Sequence, residues 1–237
     1  ELAHTVRRQD FTAVIRQMSS DERADLFNKL SDAQKQALLP ALAQAERDDI
    51  LSLSSYSEGT AGAIMSSDYA MLSPDLTVTQ AIEVLRNEAP DKETIYLSYV
   101  VDQDRILIGA LSLRELILAP THALVDDVMK HDPIHVKVDT EQEEVASLVA
   151  KYDLIAIPVV NAQGQLVGIV THDDAMDVAA AEATEDFHKT ATIGKLEGSV
   201  KDAKISLLYR KRVVWLVVLV FGNIFSGAGL AAFEQII

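Results

Sequence analysis

The chain repeats itself, and the repeat governs what it can fold into. Met65-Ser66-Ser67-Asp68 returns as Met129-Lys130-His131-Asp132, 64 positions on. From there Asp75 corresponds to Asp139, and the amphipathic run over 78–85 to that over 142–149. The second copy then runs shorter, so that Gly109 corresponds to Gly168, Val100-Val101 to Val159-Val160 and Leu107 to Leu166. Ser112-Leu113-Arg114-Glu115 likewise corresponds to Thr171-His172-Asp173-Asp174. Each copy reads strand, helix, β-branched strand, turn, strand, helix, with Asp102-Gln103-Asp104 and Asn161-Ala162-Gln163-Gly164 as the turns. One such unit buries little apolar surface, so the two are expected to pair.

The flanks are helical in pattern. Ser20-Asp21-Glu22 and Ser31-Asp32-Ala33 each open an apolar-periodic stretch with a capping signal. Glu58-Gly59-Thr60-Ala61-Gly62 then breaks helical propensity and marks a boundary. After the repeat, Ala/Glu-rich residues 175–189 predict a helix, Gly194–Gly198 interrupts it, and a further helical run leads to Arg210-Lys211-Arg212. Residues 213–233 carry no charge, long enough as a helix to cross the roughly 30 Å hydrocarbon core of a bilayer. The basic triplet before them predicts a cytoplasmic amino-terminal side.

Charge is placed unevenly. Residues 1–194 hold 33 Asp and Glu against 15 Lys and Arg, in a chain of net charge −15. A body this acidic excludes nucleic acid as a partner, which needs basic stripes, and favours cations. No cysteine is present, so disulfides and thiolate metal sites are excluded. The six histidines are scattered, and no Gly-x-Ser-x-Gly or Walker loop occurs. The chain is therefore not expected to be an enzyme. The acids do cluster: Asp21 and Asp25 share a helix face, Glu141 and Glu143 open one helix that Asp153 ends, and Asp174, Asp177, Glu182, Glu185 and Asp186 follow at helical spacings. Such faces are often simply solvated, and no EF-hand spacing occurs. Held across a domain contact, however, carboxylates must separate, take up protons or bind hard cations such as Mg²⁺.

The repeat resembles the cystathionine β-synthase (CBS) domain in tandem, over about 125 residues, on its two Gly-x-x-Ser/Thr-x-x-acid runs. In many CBS pairs the final acid holds the ribose of an adenosine nucleotide. The resemblance thus implies Arg114, Glu115, Thr171 and Asp174 as candidate contacts to ATP or another adenosine nucleotide, although Leu97 and Leu154 stand where some relatives stack adenine on an aromatic ring. The order of parts, with Glu58–Met65 leading into the repeat, the acidic runs over 139–146 and 182–189, and Arg212-Val213-Val214-Trp215-Leu216, resembles the MgtE family of magnesium channels and transporters. That resemblance implies Mg²⁺ ligands at Asp21, Asp25, Glu141, Glu143, Asp153, Asp174, Asp177, Glu182, Glu185 and Asp186 and at the main-chain carbonyl of Ala150, with Glu141 standing where the family often has Asp.

The expected fold is α+β: a helical domain over 1–56, a tandem CBS pair (α/β) over 57–187, a long linking, plug-like helix over 188–212 and a first transmembrane helix over 213–237. The expected role is Mg²⁺-dependent closure of a pore, in a homodimer at the inner membrane with its soluble part in the cytoplasm. A membrane-tethered nucleotide-binding module and a ligand-free dimerisation module are the competing classes. Residues 1–56 are shorter than the family's usual helical domain.

Overall fold

The structure, a computed structural model, describes residues 14, 15 and 17–190 together with 213, 216, 217, 220 and 221. Three short helices come first: α1 (Ser20–Lys29), α2 (Asp32–Leu38) and α3 (Gln44–Leu53). Each begins where a side chain three residues on takes up a free backbone N–H. The Ser19 amide donates to Glu22 Oε2 at 3.2 Å, that of Ser31 to Gln34 Oε1 at 2.9 Å, and that of Ala43 to Glu46 Oε2 at 2.8 Å. Helices this short are marginal alone. Phe27, Leu38, Leu42 and Ile50 bury one small core among them, while Ala24 and Leu53 are buried in the core of the second repeat.

The repeat folds as its pattern predicts. The first copy runs β1 (Tyr69–Leu72), α4 (Val78–Glu88), β2 (Thr94–Val101), β3 (Leu107–Ser112) and α5 (Leu113–Leu118). A single turn, α6 (Val125–Val128), and β4 (Lys130–His131) lead to β5 (Val136–Lys137), α7 (Gln142–Tyr152), β6 (Ala156–Val160), β7 (Leu166–Thr171) and α8 (His172–Thr190). One sheet is ordered β1-β2-β3-β4, with β1 and β2 parallel and the rest antiparallel. The other is β5-β6-β7, with β5 and β6 parallel and β6 and β7 antiparallel.

The repeat-matched residues explain how the copies join. Lys130 in the lead-in to the second copy pairs with β3 of the first, and its counterpart Ser66 pairs with Ile169 of β7. Each lead-in thus completes the other copy's sheet. The preceding methionines, Met65 and Met129, lie directly over Gly168 and Gly109, where a Cβ would collide with their side chains. Here glycine is required by close approach. The turns match too. Asp102 Oδ1 accepts from the Asp104 and Ile106 amides, and Asn161 Oδ1 from those of Gln163 and Gln165. The two turns meet: Leu166 N donates to Arg105 O at 3.0 Å and Leu107 N to Gly164 O at 3.2 Å. Tyr99, Tyr69, Ala156, Leu166 and Ile169 form the buried layer between the copies.

The expected linking segment beyond 190 and the membrane helix over 213–237 lie outside the described residues, apart from helical positions at Val213, Leu216, Val217, Val220 and Phe221. Among the described residues no helix is long and apolar enough to cross a membrane.

Candidate cation-binding seam

The first turn of α1 rests on the lead-in to the first repeat. Ser20 is fully buried there, its Oγ 3.0 Å from Ser66 Oγ and accepting the Ser67 amide at 2.8 Å. This contact fixes the residue that follows. Asp21 is half-buried, and its Oδ1 is shut off from water with no hydrogen-bond partner. Burial pushes its carboxyl above the ordinary range, outweighing the Ser19 side chain and the helix amides that pull it down.

Two further acids lie within reach of its field. Glu93, just ahead of β2, is pushed up to about 7, first by desolvation and then by the charges of Asp21, Asp174 and Asp173, against a lowering hydrogen bond from Ser66. Glu93 is nonetheless exposed, so solvent screens much of that repulsion. Asp174, in the first turn of α8, is pushed up to about 6 by desolvation and by Asp21, Asp173 and Asp177, opposed by the Thr171 hydroxyl. Acids from the helical segment, the first repeat and the second repeat therefore meet at one seam, with hard oxygen donors throughout. Close enough to raise one another's pKa, they are not gathered into a coordination shell: among the described residues no three His, Asp or Glu side chains are placed to hold a metal ion together. The buried, unpartnered Asp21 Oδ1 and the all-carboxylate donor set fit Mg²⁺, which would draw the three acids in.

The other candidate ligands are distributed differently. Asp25 is exposed and pairs with Lys29 at 3.8 Å. Glu141, Glu143, Ala150, Asp153 and Asp177 are exposed and Glu182 half-buried. Glu141 stands at the N-terminal cap position of α7 without a side-chain capping bond, its backbone bridged to Thr60, while Asp153 ends α7 in the left-handed conformation. Glu185 and Asp186 lie on α8, with side chains outside the described residues.

Both Gly-x-x-Ser/Thr-x-x-acid runs act locally as strand-to-helix caps. Ser112 donates to Glu115 Oε2 through its hydroxyl at 2.6 Å and its amide at 2.8 Å. Burial alone would raise Glu115, but these donors and Lys130, 3.0 Å away, hold it below the ordinary range. The Thr171 hydroxyl donates to Asp174 Oδ2. Arg114 is exposed, and Leu97 and Leu154 are half-buried.

Glu93 is the residue that sequence reasoning missed: no motif marks it, and only the fold carries it from 93 to the side of 21 and 174.

Two copies of a strand–helix–strand–strand–helix unit, joined by exchanged lead-ins and preceded by a small helical segment, define a CBS-pair protein. The CBS domain model matches residues 61–122 and 125–181, and the MgtE intracellular N domain model residues 1–59. The chain is 40% identical to the magnesium transporter MgtE of Thermus thermophilus over 222 residues, 92% of this chain and 49% of that one. A crystal structure of the soluble part of a magnesium transporter matches with TM-score 0.72 at 39% identity, over 75% of this chain and 70% of that one. A crystal structure of the cytosolic domain of the Mg²⁺ channel MgtE in complex with ATP matches at the same TM-score and identity, over 74% and 72%. This chain belongs to the MgtE magnesium transporter family, and is homologous to its cytosolic domain. It spans about half the length of the curated relatives it matches.

Proposed function

We propose that this chain is the Mg²⁺-sensing and gating region of an MgtE-type magnesium channel or transporter of the inner membrane, its soluble part in the cytoplasm and its CBS pair forming a homodimer. The observation that carries this reading is the buried, unpartnered Asp21 oxygen, in a residue whose charge is felt by two acids with carboxyls pushed up to about 7 and about 6. Without a cation the seam repels itself. Mg²⁺ bridging Asp21, Glu93 and Asp174 removes that repulsion and holds the helical segment against the CBS pair. The exposed acids Asp25, Glu141, Glu143, Asp153 and Asp177 and the half-buried Glu182, with Glu185, Asp186 and the Ala150 carbonyl, then serve further ions. Differential binding is what makes this a switch: Mg²⁺ favours closure only by binding the closed arrangement better. The chain's covalent chemistry does not change, and no catalytic role is assigned.

Nucleotide binding is a second reading, supported by the ATP complex of a relative at 39% identity. It would use Arg114, Glu115, Thr171 and Asp174, of which both acids already serve as cap partners. Isothermal titration of the chain with Mg²⁺, ATP and AMP separately tests both. The seam reading expects Mg²⁺ heat that D21N/E93Q/D174N diminishes. Mg²⁺ heat unchanged in that variant would sink it, and nucleotide heat that survives Glu115→Gln and Asp174→Asn together would sink the second.

A further inference from the structure

We propose that Lys130 is the first copy's resident cation: its ammonium holds Glu115 as a dissolved ion would hold the equivalent acid Asp174, and so confines the chain's Mg²⁺ response to the second copy. The repeat makes the comparison direct. Glu115 and Asp174 are matched positions, each accepting the hydroxyl of the residue three before it, Ser112 or Thr171. The lead-ins match too. Lys130 is paired with Ala110 of β3, and its counterpart Ser66 with Ile169 of β7, each one residue past the matched glycines 109 and 168. In backbone position, Lys130 therefore stands to Glu115 as Ser66 stands to Asp174.

The side chains at that position differ. The lysine stem carries its Nζ to 3.0 Å from Glu115 Oε1, while Oε2 takes the Ser112 hydroxyl and amide. Both oxygens of Glu115 are thus engaged from within the chain. Burial opposes its charge, and the Ser112 donors and then Lys130 outweigh that opposition. Ser66 brings no charge, and among the described residues no Lys or Arg pairs with Asp174. The charges felt by Asp174 are those of Asp21, Asp173 and Asp177, all acids. One copy carries its own counter-ion, and the other must draw one from solution. The Lys130 side chain is 77% exposed and that of Glu115 30%, so the pair adds little to stability. Its effect lies in which acid a cation can still neutralise. The pairing at Glu115 stands on this geometry alone; the Mg²⁺ response of Asp174 rests on the function proposed above.

Carbon-13 resonance of the side-chain carboxyls in the full chain, in mild detergent, reads both acids, with Glu115→Gln and Asp174→Asn assigning their signals. In the unsubstituted chain Glu115 should titrate below the ordinary glutamate range, and its signal should move with millimolar Mg²⁺ no more than that of exposed Glu83. The Asp174 signal should move well beyond both. Lys130→Ser, which gives the first copy the second copy's residue, should raise the Glu115 titration and make its signal answer Mg²⁺. Lys130→Arg keeps the charge and should behave as the parent. Lys130→Met keeps the stem without the charge, and decides should Lys130→Ser disturb β3 and β4. Glu115 that answers Mg²⁺ with Lys130 in place overturns the proposal, as does Glu115 titrating unchanged once the lysine charge is gone. A raised titration with no new Mg²⁺ response leaves only a surface ion pair, and overturns it equally. Silence of Asp174 while Glu115 gains a response in Lys130→Ser refutes the seam and leaves Lys130 standing as the guard of Glu115.

Discussion

Removing the charge of Glu93 should stabilise the metal-free protein while weakening its response to Mg²⁺. The carboxyl is pushed from an ordinary 4.5 to about 7 in the folded chain, chiefly by burial and then by Asp21 and Asp174. A folded pKa above the unfolded one means that folding favours the proton. The favourable contribution is complete below about pH 4.5 and is lost as pH rises through about 7. At 1.36 kcal/mol per pKa unit the full shift corresponds to about 3 kcal/mol. Because the side chain reaches water, screening reduces this to about 1–2 kcal/mol. Glu93→Gln carries no proton to lose. In EDTA at pH 8 it should therefore be about 1–2 kcal/mol more stable by urea denaturation than the unsubstituted chain, with the difference vanishing near pH 4. The pH slope between 4.5 and 7 should flatten correspondingly. In millimolar Mg²⁺ the order should reverse, since the ion loses a ligand. An unchanged pH slope, or a Gln variant less stable than its parent at pH 8 without metal, would refute the reasoning.

Three other outcomes are expected. Gly168→Ala should cost about 1–3 kcal/mol in thermal or urea melts, because Met65 occupies the space of the new Cβ, and Gly109→Ala against Met129 should cost a similar amount. Asp21→Asn should weaken Mg²⁺ binding by calorimetry more than Asp25→Asn, whose exposed carboxylate pairs with Lys29. The chain should be a homodimer by light scattering in mild detergent, and a monomer at every Mg²⁺ concentration would count against the assembly proposed.

The repeat was legible because its spacing is covalent. The matched pairs Met65 and Met129, Gly109 and Gly168, and Asp102 and Asn161 each occupy equivalent places in the two copies. Helix starts at Ser19 and Ser31 were legible within a residue, since the cap and its Glu or Gln partner are three apart in sequence. The seam was half legible. Asp21 and Asp174 stood out on acidic helices, but Glu93 carries no local signal, because its role arises only when β2 is brought beside α1 and α8. The pairing of Lys130 with Glu115 was hidden for the same reason: the two meet only when β4 joins β3. The strand exchange between the copies was not legible either. Lys130-His131 and Ser66 have no β-branched run to announce them, and their pairing is dictated by the opposite copy's exposed sheet edge.

Backbone hydrogen exchange of the full chain, with Mg²⁺ and with Na⁺ at equal ionic strength, tests the central claim most directly. Mg²⁺ acting at the seam should slow exchange specifically in the first turn of α1, at residues 66–68 and 93, and in the first turn of α8, and D21N/E93Q/D174N should abolish that protection. Protection that Na⁺ reproduces, or that persists undiminished in the triple variant, would contradict it.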